Sequence, residues 1–530
     1  MTAPAAQKGP YFDEKEKVEP TSTVVEGREL EYGAETRPIN KLGRFKRWFL
    51  TWELESQGIK PTLPSQRSDV NFFKTFLLWL TFDCNIISIS AGTLGPLAFN
   101  LSLRDSILVI IGFNILGSAL PAYIATFGAK LGLRQMCQSR FSFGYYGAIL
   151  PTFLNLVAIT GYLSLNCITA GQTISSASGD FGADKGLISW NAGIVIMAVI
   201  SLVVSFFGYK VLSFYERYAW VPIIVVSFIA LGVNAGHLQP SASFPPATAS
   251  QILTFGASIG GFLLAYVTVC SDFTTYMRED VSSRKLFITI FFGIFVSTTF
   301  LEIIGAVFAA ALPSHPTWQA GYGNDNLAGL LHAILLPAGP KFSRFLLAML
   351  SLSVTGNMAP SMYSFGLSFQ TLIPFDFIVR VPRYFFSVLV TAIIIPLAIV
   401  AATRFYTALS NFLGLIGYSS AAVGAVLFTE HIVFRRAAFG NYDVGCWNRP
   451  RGLPVGVAAI GACAVGAGVV VLCMQQVWLV GPVARKTGDI AFLVSFFTTG
   501  LAYVPFRWAE KRWLRDDVKL AAGRGQHEGA

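Results

Sequence analysis

Charge is scarce in this sequence. Only 13% of its 530 residues are Asp, Glu, Lys or Arg, about half the ~25% of an ordinary soluble domain. Histidine is scarcer: five residues (His237, His315, His332, His431 and His527), with no HExxH-like pair. Seven cysteines (84, 137, 167, 270, 446, 463 and 473) follow no metal or disulfide spacing. No nucleotide-binding fingerprint and no large soluble domain is present to power a pump. A membrane-embedded enzyme would want clustered His, Cys or carboxylates, so these absences count against an enzyme and against bound metal. The cysteines read as small apolar packing residues. An apolar stretch near the start is missing too. Residues 1–70 are polar and charged, which predicts no cleavable signal peptide.

Long apolar runs are what the chain has instead. It is 53% hydrophobic, and "WNAGIVIMAVISLVVSFFGY" (190–209) and "YFFSVLVTAIIIPLAIVAAT" (384–403) are two such runs. Each has about twenty residues, enough for a helix to cross the ~30 Å hydrocarbon layer. The expected fold is an all-α polytopic membrane protein of about twelve spans. They centre on 73–100, 104–128, 143–175, 188–208, 211–235, 252–277, 286–312, 343–372, 384–403, 406–429, 455–475 and 488–506. The third and eighth are long and are expected to tilt or bend.

Basic residues set the orientation. They gather in alternate loops: Lys130, Arg134 and Arg140; Arg278, Arg284 and Lys285; Arg380 and Arg383; Arg435, Arg436, Arg449 and Arg451. The opposite loops "NAGHLQPSASFPPATASQ" and "PSHPTWQAGYGNDN" carry no Lys or Arg. Both tails are therefore expected to be cytoplasmic, although Arg485 and Lys486 run against the pattern. The net charge of +10 reflects this topology and implies no nucleic-acid partner. Asn100-Leu101-Ser102 is a glycosylation sequon on the outer side, close against the membrane.

Three spans contain residues that helices avoid. The first holds "CNIISISAGTLGPLAFN" (84–100), with Gly92, Gly95 and Pro96. The sixth holds "FGASIGGFLLAYVTVCSDFTTYM" (255–277), with Gly256, Gly260 and Gly261. The eighth holds "VTGNMAPSMYS" (354–364), where Pro360 is expected to break the helix and let Asn357 face a ligand. Any single Gly can serve close helix packing. Interruptions five spans apart, however, suit two five-helix repeats of inverted topology with a substrate site between them. That predicts a tail (1–70), a first repeat (71–235), a second repeat (252–430), two peripheral helices (455–506) and a second tail (507–530), in a LeuT-like 5+5 arrangement.

Ionisable residues within spans are functional candidates by default. Asp83 and Glu302 are candidates for carrying a coupling proton, and Ser353 and Thr355 complete the candidate coupling set. Glu216 and Arg217 lie near a membrane edge and read as structural. Asp272 reads equally as structural or ligand-binding. Tyr162 and Asn166, four residues apart, share a helix face. A ring with an amide one turn away suits a flat heterocycle, stacked on the ring and read along its edge. Tyr266 offers a second ring and Asn357 a second amide. Asn85, beside the interruption in span one, and Ser361 join the binding set.

The segment "LTWELESQGIKPTLPSQRSDVNFFKTFLLWLTFDCN" (50–85) resembles the pre-membrane signature of fungal purine–cytosine permeases of the nucleobase–cation symporter-1 family. The likeness continues through "GTLGP", "GYLSLNCITAGQ", "CSDFTTYM" and "NMAPSMYSFGLSFQ", and spans about residues 50–510. It implies the inverted-repeat fold and proton-coupled import of a small heterocycle across the plasma membrane. It puts the family's span-three aromatic and amide on Tyr162 and Asn166, and its span-six aromatic on Tyr266. The span-eight Asn–Asn–x–Pro–Asn pattern falls on Asn357, Met358, Ala359, Pro360 and Ser361. Cytosine and adenine carriers are expected to have Trp at both aromatic positions, where this chain has Tyr, and two of the three amides are replaced by Met358 and Ser361. A pyridine of the vitamin B6 type is therefore the alternative substrate. A non-transporting nutrient sensor is a further alternative. The expected partners are the heterocycle and the bilayer, with no cofactor beyond a coupling ion, H+.

Overall fold

In lipid, each backbone N–H and C=O must find its partner within the protein, so long apolar runs become helices. A computed structural model describes residues 58–179, 187–206, 217–238, 244–323, 326–373, 381 and 383–525. The tail 1–57, Glu216 and Arg380 lie outside the described residues.

Span one is a bent pair, α1 (Phe72–Asp83) and α2 (Ile86–Ala98), meeting at 55°. There follow α3 (Leu103–Leu131), a short α4 (Gln135–Gly147), α5 (Ile149–Ala177), α6 (Trp190–Phe206) and α7 (Trp220–Val233). Span six begins as α8 (Ala249–Leu264) and continues in two tight 3-10 turns, Ala265–Thr268 and Cys270–Phe273. Next come α9 (Ser283–Ala311), the short α10 (Pro316–Tyr322) and α11 (Leu327–Leu335), and the continuous span formed by α12 (Pro340–Ser353) and α13 (Thr355–Leu372). The last four spans are α14 (Arg383–Ala401), α15 (Phe405–Thr429), α16 (Val457–Cys473) and α17 (Ala491–Gly525). Among the described residues six stretches are long and apolar enough to cross a membrane, and the bent pair, taken as one span, makes a seventh. One of the six, Tyr384–Phe434, contains both α14 and α15, while α6, α7 and α16 are shorter apolar helices. The order of spans is the one the apolar runs predict.

Span three departs from its expected course. Residues 143–147 belong to α4, and α5 starts afresh at Ile149. The cause is Gly144, whose φ of 75° lies in the left-handed region that glycine alone enters freely. A Cβ there would sit 2.2 Å from the Pro454 carbonyl.

The glycines of spans one and six do not break their helices either. Gly92 and Gly95 lie within α2, and Gly256, Gly260 and Gly261 within α8. They are crossing points instead. A Cβ on Gly92 would come within 1.9 Å of the Glu302 carbonyl, one on Gly305 within 2.1 Å of the Ile89 carbonyl, and one on Gly261 within 2.3 Å of the Leu413 carbonyl. Small residues let these backbones touch, which is the packing device of membrane helices. Pro96 and Pro360 are both carried inside helices. Span eight tightens earlier, at Val354, where the Asn357 N–H reaches back only to the Val354 carbonyl (3.0 Å).

The segment ahead of span one is a strap. Arg67 donates to the Thr62 carbonyl (2.8 Å) and to the carbonyls of Ala129, Lys130 and Leu131 at the end of α3. A guanidinium suits the negative end of a helix and its unpaired carbonyls. Asp69 pairs in parallel with Met277, below span six. The peripheral helices are tied on by a buried ion cluster. Glu430 accepts from the Tyr503 hydroxyl (2.9 Å) and pairs with Arg507 (3.2 Å) and Arg435 (3.0 Å).

Glycine 92 gives a direct test of the crossing. Gly92→Ala drives a methyl into a backbone, at about 1–3 kcal/mol for overpacking, and should lower the thermal midpoint of the detergent-solubilised protein by several degrees. Gly232→Ala is the control: nothing lies within 4 Å of its added Cβ, so the midpoint should hold.

Candidate functional site

The true interruptions lie at Cys84–Asn85 in span one and after Leu264 in span six. At the first, Asn85 is the N-cap of α2: its Oδ1 accepts from the Ile87 N–H (2.9 Å) and its Nδ2 donates to the Phe82 carbonyl (2.8 Å). Both functional groups of Asn85 are thus engaged in shaping the break, as an N-cap requires.

Asn357 holds the same break from span eight. Its Nδ2 donates to the Phe82 carbonyl (3.0 Å) and its Oδ1 accepts from Asn166 Nδ2 (3.1 Å). Pro360 does not break α13 as expected, and Asn357, which borders the cavity described below, has its amide on span one and span three. Asn166 also donates to the Tyr162 carbonyl (2.9 Å), yet its Oδ1 is buried with no partner among the described residues. Of this pair of amides, the group left free is the Asn166 oxygen.

Both tyrosine hydroxyls are likewise used by the protein. Tyr162 Oη donates to the Phe262 carbonyl (2.7 Å), joining span three to span six. Tyr266 Oη donates to Asp83 Oδ1 (2.5 Å), joining span six to span one. What remains for a ligand is the aromatic ring of each. The Tyr162 ring lies edge-on to Phe262 (5.8 Å) and Phe412 (5.6 Å), and the Tyr266 ring edge-on to Trp79 (5.5 Å) and Phe82 (5.6 Å). Phe412 also lies over Gly161, where an added Cβ would meet the ring at 1.9 Å.

Phe82, Tyr162, Tyr266, Asn357 and Ser361 border one cavity of about 30 Å³. That is room for more than one water, and a small cavity for a ring to occupy without some opening. Asn155 and Ser364 border the same cavity, and sequence reasoning passed over both. Each is an ordinary polar residue on a membrane helix, and Ser364 closes the quoted stretch of span eight without being singled out in it.

The carboxylates sit beside this site. Asp83 Oδ2 has no short hydrogen bond among the described residues; the neighbouring Thr298 hydroxyl is within its reach but donates to the Ile294 carbonyl (2.9 Å). Glu302 Oε2 accepts from Asn114 Nδ2 (2.6 Å), which also reaches Thr299 Oγ1 (3.0 Å), while Oε1 has no partner. Asn114, on α3, is a second residue the sequence does not single out. Asp272 proves structural: its Oδ1 accepts from the Gln135 N–H (2.8 Å) at the start of α4, and its carbonyl from Arg134 (2.7 Å). Ser353 donates to the Leu350 carbonyl of its own helix, and Thr355 meets Ser201 on α6 (3.4 Å).

Residues 62–495 match the family described as "Permease for cytosine/purines, uracil, thiamine, allantoin". A purine-cytosine permease of Saccharomyces cerevisiae is 32% identical over 484 residues, covering 90% of this chain and 89% of its own. A vitamin B6 transporter of the same yeast is 27% identical, covering 90% and 91% respectively. Among solved structures, Mhp1, a nucleobase-cation-symport-1 family transporter in a closed conformation with bromovinylhydantoin bound, is similar with a TM-score of 0.68. It is 14% identical, with 86% of this chain and 95% of that one covered. The likeness to Mhp1 is one of fold, and it carries the LeuT-like arrangement expected of interrupted spans one and six. The chain belongs to the cytosine/purine permease family of nucleobase–cation symporters, and is a membrane transporter, not an enzyme.

Proposed function

We propose that the chain imports a small planar heterocycle of the purine and cytosine class by proton symport and alternating access. The observation that carries this reading is the buried Asn166 oxygen, without a partner among the described residues, on an amide bonded to Asn357, which borders a cavity together with Tyr162 and Tyr266. A buried acceptor without a donor is costly, and a ring N–H would satisfy it while the aromatic faces stack. The repertoire of relatives agrees with a nucleobase. A pyridine of the vitamin B6 type is the second reading, favoured by the tyrosines at both aromatic positions and by the vitamin B6 relative.

Coupling is assigned to Asp83, with Glu302 in support. A protonated Asp83 could donate from its unpartnered oxygen, whereas an ionised one, buried without a cation, is strongly disfavoured. Protonation and substrate would favour the same conformation through differential affinity. The end of the bundle that carries the strap, the α3 terminus and Met277 is taken as cytoplasmic, with both tails there, in the plasma membrane. The predicted repeats are retained, and their two interrupted spans enclose the site.

Two variants test the assignment in a permease-deficient host. Asn166→Ala should raise the half-saturating substrate concentration about tenfold, the effect of losing a buried hydrogen bond to a ligand, at unchanged membrane abundance. Unchanged kinetics and an unchanged competition profile would mean that the substrate binds elsewhere. Asp83→Asn preserves the shape and the Tyr266 contact but cannot lose a proton. It should abolish accumulation against a gradient while leaving substrate exchange. Wild-type uptake should fall as external pH rises, because the proton must load from outside. Accumulation that survives collapse of the proton gradient would overturn proton coupling.

A further inference from the structure

Spans three and eight face each other along two polar stripes. On α5 the stripe is Asn155, Tyr162 and Asn166; on α13 it is Asn357, Ser361, Ser364 and Ser368. Steps of seven and four residues, and of four, three and four, keep each set on one helix face. The helices run in opposite directions, and two rungs join them. At one end Asn166 Nδ2 donates to Asn357 Oδ1 (3.1 Å); at the other Asn155 Nδ2 donates to Ser368 Oγ (2.8 Å). The rungs stand eleven residues apart on both helices, about 16 Å at the helical rise. The cavity bordered by Tyr162, Ser361 and Ser364 lies between them.

The two rungs are built alike. Each donates its span-three amide N–H to span eight and leaves the amide oxygen with no partner: Asn166 Oδ1 at one, Asn155 Oδ1 at the other. Asn155 is 1% exposed, as is Ser364, whose Oγ also has no partner. Two unpartnered polar groups, both nearly fully buried and both bordering the cavity of the main site, are more than helix–helix adhesion requires. A rung that only joined helices would leave Ser364 free to be alanine.

We propose that Asn155 and Ser364, oriented by Ser368, form a second ligand station on the strap side of Tyr162. It takes the same class of flat heterocycle, accepting a ring N–H at Asn155 Oδ1 and donating from the Ser364 hydroxyl to a ring nitrogen or exocyclic oxygen. The substrate leaves Asn166 and pauses there before release. Ser361 lies between the stations, with its hydroxyl on the Asn357 carbonyl (2.8 Å). This inference rests on the transport reading above.

The test uses the full chain in right-side-out and inside-out membrane vesicles, with radiolabelled cytosine, adenine, hypoxanthine and pyridoxine as probes and no proton gradient. Asn155→Leu and Ser364→Ala should each raise the half-saturating concentration of the transported probe about fivefold at the strap face, the factor of one ordinary hydrogen bond. At the opposite face it should stay within about twofold of wild type. Without a gradient the ratio of maximal velocity to half-saturation must match on the two faces, so maximal uptake should fall in step. Asn166→Ala, in contrast, should weaken both faces. Should Asn155→Leu fail to reach the membrane, Ser364→Ala decides alone. Half-saturation unchanged at the strap face, or raised equally on both, would overturn the second station while leaving the main site standing. A wild type that moves none of the four probes would overturn the transport reading and this proposal with it.

Discussion

The Phe82 carbonyl is the constraint around which this site is organised. In an unbroken helix it would accept from Ile86. The chain breaks at Cys84–Asn85 instead, and two side-chain amides take over: Asn85 from the break itself and Asn357 from span eight. A carbonyl freed inside the bilayer must be satisfied within the protein. Satisfying this one from span eight fixes Asn357, which fixes Asn166 by a single hydrogen bond. Asn166 is then held with its oxygen without a partner among the described residues. The binding chemistry follows from the mending of a broken helix.

The tyrosines extend the same logic. A Tyr where relatives of this kind are expected to have Trp adds a hydroxyl to the site, and both hydroxyls are consumed by spans across the cavity. Tyr162 locks span three to the end of α8, and Tyr266 locks the 3-10 turn to Asp83. Interruptions in spans one and six thus meet through a hydroxyl–carboxylate contact. The Asp83 carboxylate therefore lies one hydrogen bond from a ring that borders the cavity, and the proposed coupling needs no long relay.

Much of the architecture was legible in the sequence, because long apolar runs have one solution in lipid. The positions of the breaks were not. Gly92, Gly95, Gly256, Gly260 and Gly261 looked like helix breakers and turned out to be crossing points, since a missing Cβ serves close approach as well as it serves flexibility. The real breaks fall at Asn85 and after Leu264, where no glycine or proline marks them. Tyr162, Tyr266, Asn166 and Asn357 were found as a group and do come together, but which atoms stay free depends on hydrogen bonds between distant spans. Asn155, Ser364, Asn114 and Arg67 escaped notice for the same reason. Their partners lie on other helices, and nothing local in the chain announces them.

The central claim is that substrate sits in the midplane site between Tyr162 and Tyr266 and completes the Asn166 oxygen. It is tested most directly by a cryo-EM map of the protein saturated with whichever heterocycle it transports. The account predicts planar density against the Tyr162 and Tyr266 rings, with a ring nitrogen within hydrogen-bond distance of Asn166 Oδ1 and the Asn166–Asn357 pair intact. Density away from Asn166, with that oxygen still unpartnered, would contradict it.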